Sequence, residues 1–413
     1  MNKFLLRDRT EWRTWAIPRR LWEKPIHRWF VFPHSFSSEL VYALADEWGL
    51  GSDDHILDPF AGAGTTILAA KELGIRATGY DLSPLAVLIT RVKSSNYSAQ
   101  RMEQVLSRLM NNVRRAQLNG TKKQYPELVS KALPGDLLGA FDSIDRCITK
   151  ASDSKAERDF IRLALLATLP KFSRAVATGG WLKWVTNCNG ASSVVSVFER
   201  QVRLMIEDLR VVRFPRRTLC KVGAADARVL PDAGPSYSAV ITSPPYPNRH
   251  DYTRVFGVEL MFGFLDWEGT RQLRYQSFHS HPEARPNRPE ADGYRAPRRL
   301  TRVVSQVRKK TTNRRVHNML EGYFLDMYLT LREIKRVCQP GAKIAFVVGN
   351  VQYNGEQIPV DYLTAEVGEQ AGLSCQEIAV ARYRGNSAQQ MGRFGRIPSR
   401  ESVVIFKRPG SSP

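Results

Sequence analysis

Two short stretches combine residue types and spacings that suit chemistry. The first, Asp58-Pro59-Phe60-Ala61-Gly62-Ala63-Gly64-Thr65-Thr66, follows an apolar strand, His55–Asp58, and precedes a helix. Glycines at such a turn let the backbone approach a ligand closely and adopt angles closed to other residues. The turn suits a dinucleotide or S-adenosylmethionine; without Gly-Lys-Ser/Thr it is not a phosphate loop for ATP. The next strand, Ala77–Asp81, ends in a carboxylate that can accept from both hydroxyls of a ribose. The second stretch, Thr242-Ser243-Pro244-Pro245-Tyr246, closes another apolar strand. Two prolines make a stiff exit turn with no backbone donors of its own, so its carbonyls are free to accept. Ser243 adds a polar group and Tyr246 a stacking face. These are what an exocyclic amino group of a nucleobase needs. Its lone pair is delocalised into the ring, and acceptors on its N–H bonds favour a tetrahedral nitrogen able to attack a methyl group. An aromatic face holds the base once it has left the stack. A double proline by itself is more often only a tight turn; beside the glycine turn the balance reverses.

The elements that must position these turns follow a β-turn-α-β-α order, the pattern of a doubly wound, Rossmann-like α/β sheet. Ser37 or Ser38 caps a helix to about Trp48, Gly74 closes the helix after the glycine turn, and Ser83-Pro84 opens the next. Over 97–217 the pattern changes. Val105, Leu106, Leu109, Met110 and Val113 recur at helical spacing, as do Phe160, Ile161, Leu163, Ala164, Ala167 and Val202, Met205, Ile206, Leu209. This predicts a helical insertion, interrupted by Gly179-Gly180-Trp181. Strands return at Cys220–Gly223 and Ser238–Thr242. A helix over about 323–337, a strand over 343–349, a helix over about 359–371 and strands over 375–382 and 402–407 complete the sheet. Residues 1–36 form an arm rich in Trp and Arg, suited equally to packing on the domain or to touching a polyanion. Residues 37–96 and 218–413 form the catalytic domain, and 265–316 within it reads as a long basic loop, functional or disordered.

Charge narrows the partners. Lys and Arg number 61 against 40 Asp and Glu, a net +21, and such a surplus points to a polyanion such as nucleic acid. The hydrophobic share of 43% is ample for a core. No stretch is apolar for long enough to span a membrane, and the N-terminus lacks a signal-peptide core. Cys147, Cys188, Cys220, Cys338 and Cys375 are scattered, which suits a reducing cytoplasm and argues against disulfides or zinc. No metal is expected, and the closest histidines, His279 and His281, read as surface residues.

Together the two stretches resemble those of the amino-methyltransferase family of DNA modification enzymes, found in restriction-modification systems. The resemblance covers about 25–96 and 218–407. It implies S-adenosylmethionine as cofactor and DNA as partner in a prokaryotic or phage cytoplasm. It assigns Asp58, Phe60, Gly62, Gly64, Thr65, Thr66, Asp81 and Leu82 to the cofactor, and Ser243, Pro244, Pro245 and Tyr246 to catalysis. Asp226, in Gly223–Ala227, matches the acidic residue bordering the adenine, and Phe30–Phe36 matches the segment flanking the cofactor. Serine at the first catalytic position is more typical of cytosine-N4 enzymes, aspartate of adenine-N6 enzymes. The cofactor stretch precedes the catalytic one, whereas many cytosine-N4 enzymes have the reverse order, which leaves adenine as the alternative. Target reading falls to 97–217, to 265–316 or to both. Arg249, Arg254, Arg298, Arg299, Arg308, Lys309 and Lys310 are expected on nucleic acid, with Asn248–Arg254 closing over the flipped base. A second basic group, Arg382, Arg384, Arg393, Arg396 and Arg400, suits phosphates or plain surface charge.

Carbon-5 methylation would need a cysteine after a proline, and there is none. A dehydrogenase would explain the glycine turn and Asp81 but not Thr242–Tyr246. An RNA amino-methyltransferase is the stronger rival, although aspartate is usual before its prolines and no added RNA-binding domain is visible. A basic DNA-binding protein without activity would not need the two matched stretches.

Overall fold

A computed structural model describes the chain except residues 1–2, 117–120, 187–192, 216–217, 311–312, 386–391, 393–394, 396–397 and 411–413. The N-terminal part runs β1 (Leu6–Asp8), α1 (Ser38–Trp48), β2 (His55–Asp58), α2 (Thr65–Glu72), β3 (Arg76–Asp81) and α3 (Pro84–Ser94). The insertion follows with α4 (Ala99–Arg115), α5 (Glu127–Ala132), α6 (Asp136–Thr149), α7 (Lys155–Thr168), β4 (Ala175–Thr178), β5 (Trp181–Trp184) and α8 (Val194–Val211). The chain then returns to the sheet through β6 (Cys220–Ala224) and β7 (Tyr237–Thr242), followed by α9 (Tyr252–Val255), α10 (Gly257–Gly263), α11 (Trp267–Gln276), α12 (Arg298–Lys310) and α13 (Arg314–Val337). It closes with β8 (Cys338–Gly349), β9 (Val351–Tyr353), β10 (Glu356–Ile358), α14 (Val360–Gln370), β11 (Ser374–Arg384) and β12 (Ser399–Lys407).

β4–β5 and β9–β10 form separate two-stranded pairs, and the other eight described strands build one sheet of order β1-β11-β12-β8-β7-β2-β3-β6. Its pairs are parallel except where β12 runs antiparallel between β11 and β8. The sheet is doubly wound, as the sequence predicts, and the winding reverses between β2 and β7. In such a sheet the crevice at the carboxyl ends of the two strands at the reversal is where a ligand binds. Both chemistry-bearing turns leave from those ends.

Alternation along each strand sorts side chains onto two faces. Ile56, Ala239, Ile241, Ala345 and Val347 pack with α1 and α2. Leu57, Val240, Ile344, Phe346 and Val348 pack with α12, α13 and α14. Continuous apolar runs such as Ala239-Val240-Ile241 are what a strand covered on both faces requires.

The expected helix boundaries hold where caps mark them. Ser37 and Ser83 occupy the N-cap positions of α1 and α3, and Gly74 takes a left-handed φ of 76° after α2. Three expectations are corrected. Residues 265–316 are not one long loop. They contain α11 and α12, whose Leu300, Val303, Val304 and Val307 form a buried stripe at helical spacing, hidden in the sequence by the cations around it. The helix expected from 323 begins at Arg314, because Val316, Met319 and Leu320 extend its buried face. The insertion is not all helical: the Gly179-Gly180 interruption is the turn of an antiparallel hairpin, β4–β5.

The N-terminal arm packs. β1 pairs with β11, and Trp12 and Trp29 are buried. Asp208 of α8 fixes its return: the carboxylate accepts from the Ile26 amide at 2.8 Å, the Trp29 indole at 2.9 Å and the Arg28 guanidinium. Ile26 has φ 63°, a costly angle for a β-branched residue, compensated by that bond. The insertion and the sheet share one apolar core. Leu88 and Ile89 of α3 and Phe256 before α10 pack in the same cluster as Phe160 and Val202. Among the described cysteines, Cys147 and Cys338 are buried free thiols and Cys220 and Cys375 are half-buried; Cys188 lies outside the described residues.

Candidate active site

The glycine turn is held from three sides. The Gly62 amide donates to Asp81 Oδ2 at 2.9 Å, and the Gly62 carbonyl accepts from Thr90 Oγ1 at 3.1 Å. Lys93, buried under the turn, donates to the Ala63 carbonyl at 2.9 Å and to that of Phe30 at 2.6 Å. Burial pushes its ammonium down to about 7. Gly64 has φ 79°, and a Cβ there would stand 3.1 Å from the Thr90 Cα, so the close seat of the turn on α3 admits a side chain only with strain and displacement. Gly62 has φ 49° and faces the cleft opposite Phe32, whose ring lies 3.6 Å from where a Cβ would stand. Asp81 also takes the Ser83 amide at 2.8 Å, and burial raises its carboxyl.

Asp58 and Thr242, at the ends of neighbouring strands, join the two turns. Thr242 Oγ1 donates to Asp58 Oδ1 at 2.6 Å, and the Phe60 amide donates to the same oxygen at 3.1 Å. Thr66 Oγ1 donates to the Ile241 carbonyl at 3.1 Å, a second link between α2 and β7. Burial pushes the Asp58 carboxyl up to about 6. At the double-proline turn, Ser243 Oγ donates to the Val347 carbonyl of β8 at 3.2 Å. That bond commits its hydrogen and leaves its lone pairs as acceptors. Tyr246 packs on Gly349, where a Cβ would come within 3.0 Å of its ring, and burial pushes its phenol up to about 12.

A cleft of about 1150 Å3, open to solvent, runs between the two turns. Of the residues expected from sequence, it is lined by Asp58, Phe60, Gly62, Thr65, Asp81, Leu82, Asp226, Ser243 and Pro245. Gly64 and Thr66 support it from behind, while Pro244 and Tyr246 lie outside its lining. Asp226 is anchored by Arg228, which donates to its two oxygens at 2.9 and 2.7 Å. An aromatic wall that the sequence shows only in part completes the cleft: Phe32 stacks on Phe256 at 4.3 Å between ring centroids, and both line the cleft with Tyr252 and Phe278. Of these, Phe32 lies within the Phe30–Phe36 stretch that the sequence indicated.

The segment after the catalytic turn is more ordered than a lid. The Asp251 side chain caps α9 by accepting from the Thr253 amide at 2.9 Å, and His250 and Asp251 are buried. Arg254 is paired with Asp251 and Glu283, whereas Arg249 is exposed at φ 69° and lies 4.9 Å from the Tyr353 ring. Asn354 donates to the Lys310 carbonyl at 3.0 Å, so the basic end of α12 meets the β9–β10 hairpin beside Arg249. Arg299, Arg308 and Lys310 are paired with Glu366, Glu321 and Glu356; Arg298, Arg302 and Lys309 stand exposed on the same helix.

Two further expectations change. His279 and His281 are not surface residues: His281 is buried and His279 bonds Asp326 at 2.9 Å, in a buried cluster with Arg228 and Arg288 that a polar loop sequence does not advertise. The second basic group is largely committed within the protein. Arg382 and Arg384 pair with Glu401 and Arg400 with Asp361; Arg393 and Arg396 lie outside the described residues.

Similarity to known proteins agrees with this arrangement. Residues 10–91 match a family model described as DNA methylase. The Type II methyltransferase M.BsoBI of Geobacillus stearothermophilus is 30% identical over 444 residues, covering 93% of this chain and 86% of that protein. The chain belongs to the Type II DNA methyltransferases. The Type II methyltransferase M.AvaI of Anabaena variabilis is 29% identical, covering 94% of this chain and 87% of that protein. The matched model is that of the N6/N4 methyltransferases, so this chain is of the kind that transfers the methyl group of S-adenosylmethionine to an exocyclic amino group, N4 or N6. The residues present fit that cofactor: a glycine cradle that a Cβ would fill, a fixed carboxylate at the end of β3, and an aromatic wall. Among the described residues no helix is long and apolar enough to cross a membrane, and no cluster of His, Cys, Asp and Glu would hold a metal.

Proposed function

We propose that this methyltransferase modifies cytosine N4 in duplex DNA. The observation that carries the reading is the Ser243 hydroxyl, at the cleft wall with its hydrogen given to the Val347 carbonyl. So oriented, it accepts an N–H of the target amino group and does with a neutral oxygen what a carboxylate does for adenine. The carbonyls of the Ser243–Pro245 turn take the other N–H. As the nitrogen becomes tetrahedral its lone pair is freed for attack; the new C–N bond forms as the methyl–sulfur bond breaks, its electron pair staying on sulfur as a thioether, and the proton lost from nitrogen passes to solvent. Tyr246 stacks on the extruded base.

The cofactor supplies a sulfonium-bound, electrophilic methyl group. Asp81 holds its ribose hydroxyls, Asp226 borders its adenine, and Phe60, Leu82 and the 62–66 turn enclose it. Oδ1 of Asp58 takes the two bonds described, and its carboxylate would hold the amino-acid ammonium. Arg249, Arg254, Arg298, Arg299, Arg308, Lys309 and Lys310 are assigned to the DNA side of the cleft, with Arg249 and Lys309 its foremost phosphate contacts.

Mass spectrometry of nucleosides from DNA incubated with enzyme and isotope-labelled S-adenosylmethionine tests this reading. Labelled N4-methylcytosine is the expected product; labelled N6-methyladenine would overturn the choice of base, and label in RNA alone the choice of nucleic acid.

A further inference from the structure

The β4–β5 hairpin is left unused by the site just described. Its strands are joined by the two-residue turn Gly179-Gly180, and it stands on the insertion through the Arg174 amide, which donates to the Ala132 carbonyl at 2.8 Å. Ala175 and Leu182 pack against Ala132 and Val258, while other side chains of the hairpin are bare among the described residues. Trp181 is 63% exposed, Trp184 50% and Val176 38%. Two-stranded hairpins are marginal by themselves, and large aromatics bared on one disfavour the isolated molecule unless a partner covers them. The cations Arg174 and Lys183 are exposed on the same hairpin.

Its position says what the partner is. A Cβ on Gly180 would stand 3.3 Å from His250 Nδ1 and 3.7 Å from the Arg249 carbonyl, so the tip abuts the segment leaving the catalytic turn. The Arg254 guanidinium lies 5.7 Å from the Trp181 ring, and the neighbouring Tyr252 lines the cleft. The hairpin therefore stands at the cleft mouth, where the duplex must lie if a base is to enter. A two-stranded ribbon fits the major groove, and apolar or aromatic wedges are what hold a duplex with an unstacked step.

We infer that the β4–β5 hairpin docks on duplex DNA beside the cleft, with Trp181 stacking against the bases that border the vacated position and Arg174 and Lys183 on flanking phosphates. This rests on the DNA-methylation reading and adds to it the element that keeps the target nucleotide out of the helix.

The test uses the full-length chain and genomic DNA, with three readouts: duplex binding by anisotropy across a salt series, methyl incorporation, and S-adenosylmethionine affinity by calorimetry. Loss of one base–aromatic stack should lower duplex affinity of Trp181→Ala by about tenfold, with its salt dependence and its cofactor affinity unchanged. Methyl incorporation should fall in step, and Trp181→Phe should recover most of both. The double variant Arg174→Ala/Lys183→Ala should instead flatten the salt slope by about two. The inference is overturned if Trp181→Ala binds duplex within about twofold of wild type, or if it also loses cofactor affinity, since the indole would then be structural. A wild-type protein that binds duplex but methylates no DNA would sink the functional reading, while the binding series still decides the hairpin.

Discussion

Ser243 and Asp58 each concentrate a separate part of the proposed chemistry in one side chain. Ser243→Ala removes the acceptor but none of the cofactor cradle. Its kcat should fall by about a hundredfold, the size of effect seen when one oriented hydrogen-bonding group is deleted from an active site, with cofactor affinity intact; near-wild-type turnover would exclude the serine from the chemistry. Asp58 predicts a pH dependence. Its carboxyl is pushed up to about 6 from 3.8 by burial, so in the empty cleft it gains a proton as the pH falls through 6. The protonated form cannot hold an ammonium. Cofactor affinity should therefore fall as pH is lowered through 6, by up to ~10-fold per unit, and remain flat at higher pH. Asp58→Asn keeps an oxygen for Thr242 and Phe60 and should bind weakly at every pH without that slope. Isothermal titration from pH 5 to 8 reads both, and an unchanged slope in the variant would assign the proton to another group. The types of these residues were legible in the sequence because both turns are continuous runs of unusual composition. The orientation of Ser243 was not, because its partner, Val347, lies on a strand over a hundred residues away.

Elements were legible where a cap or an uninterrupted period marked them, as at Ser83-Pro84 and along Ala239–Ile241. They were missed where charge masked the period or where tertiary pairing alone defined the element. In α12 four apolar residues at helical spacing are outnumbered by cations, so the run reads as a loop. β1 has only three residues, Leu6–Asp8, and exists because β11 offers it an edge. The return of the arm over 26–29 depends on Asp208, which is distant in sequence and indistinguishable there from any helical aspartate. Asp208→Ala would leave the Ile26 amide, the Trp29 indole and the Arg28 guanidinium without their shared acceptor. Breaking such a buried charged cluster costs about 3–5 kcal/mol, so the melting temperature should drop by several degrees. A variant that melts with wild type would show that the arm is held by its apolar contacts alone. Gly64→Ala tests the turn in the same way. At φ 79°, with Thr90 behind it, a methyl group must push the turn toward the cleft. Cofactor affinity should fall by about tenfold or more, the cost of a strained left-handed residue, and calorimetry reads it directly.

Over the whole molecule, the surplus of +21 is not spread as the sequence suggested. Much of the basic group near the C-terminus is neutralised by Glu401 and Asp361, and three cations of the basic segment by glutamates. Arg249, Arg298, Arg302 and Lys309 remain exposed, so the dependence of DNA affinity on salt should follow them. Neutralising Arg249 and Lys309 together should flatten the log–log slope by about two, whereas Arg308→Ala should change it little; equal effects would mean that the glutamate pairings yield to DNA. The doubly wound class of the sheet was readable from the succession of strands and helices, but the sharing of one core by sheet and insertion was not, since periodicity shows that a face is apolar without saying what it meets. That shared core bears on attempts to give the enzyme a new target. Phe160 and Val202 lie in the same packed cluster as Ile89 and Phe256, so cutting at 97 and 217 and splicing in a foreign segment would strip the cover from α3, the helix on which the cofactor turn rests. Substitutions confined to the exposed hairpin positions Val176, Trp181, Lys183 and Trp184 would leave both that core and the small contact of Ala175 and Leu182 with Ala132 and Val258 intact, and it is there that directed evolution of specificity has the most freedom.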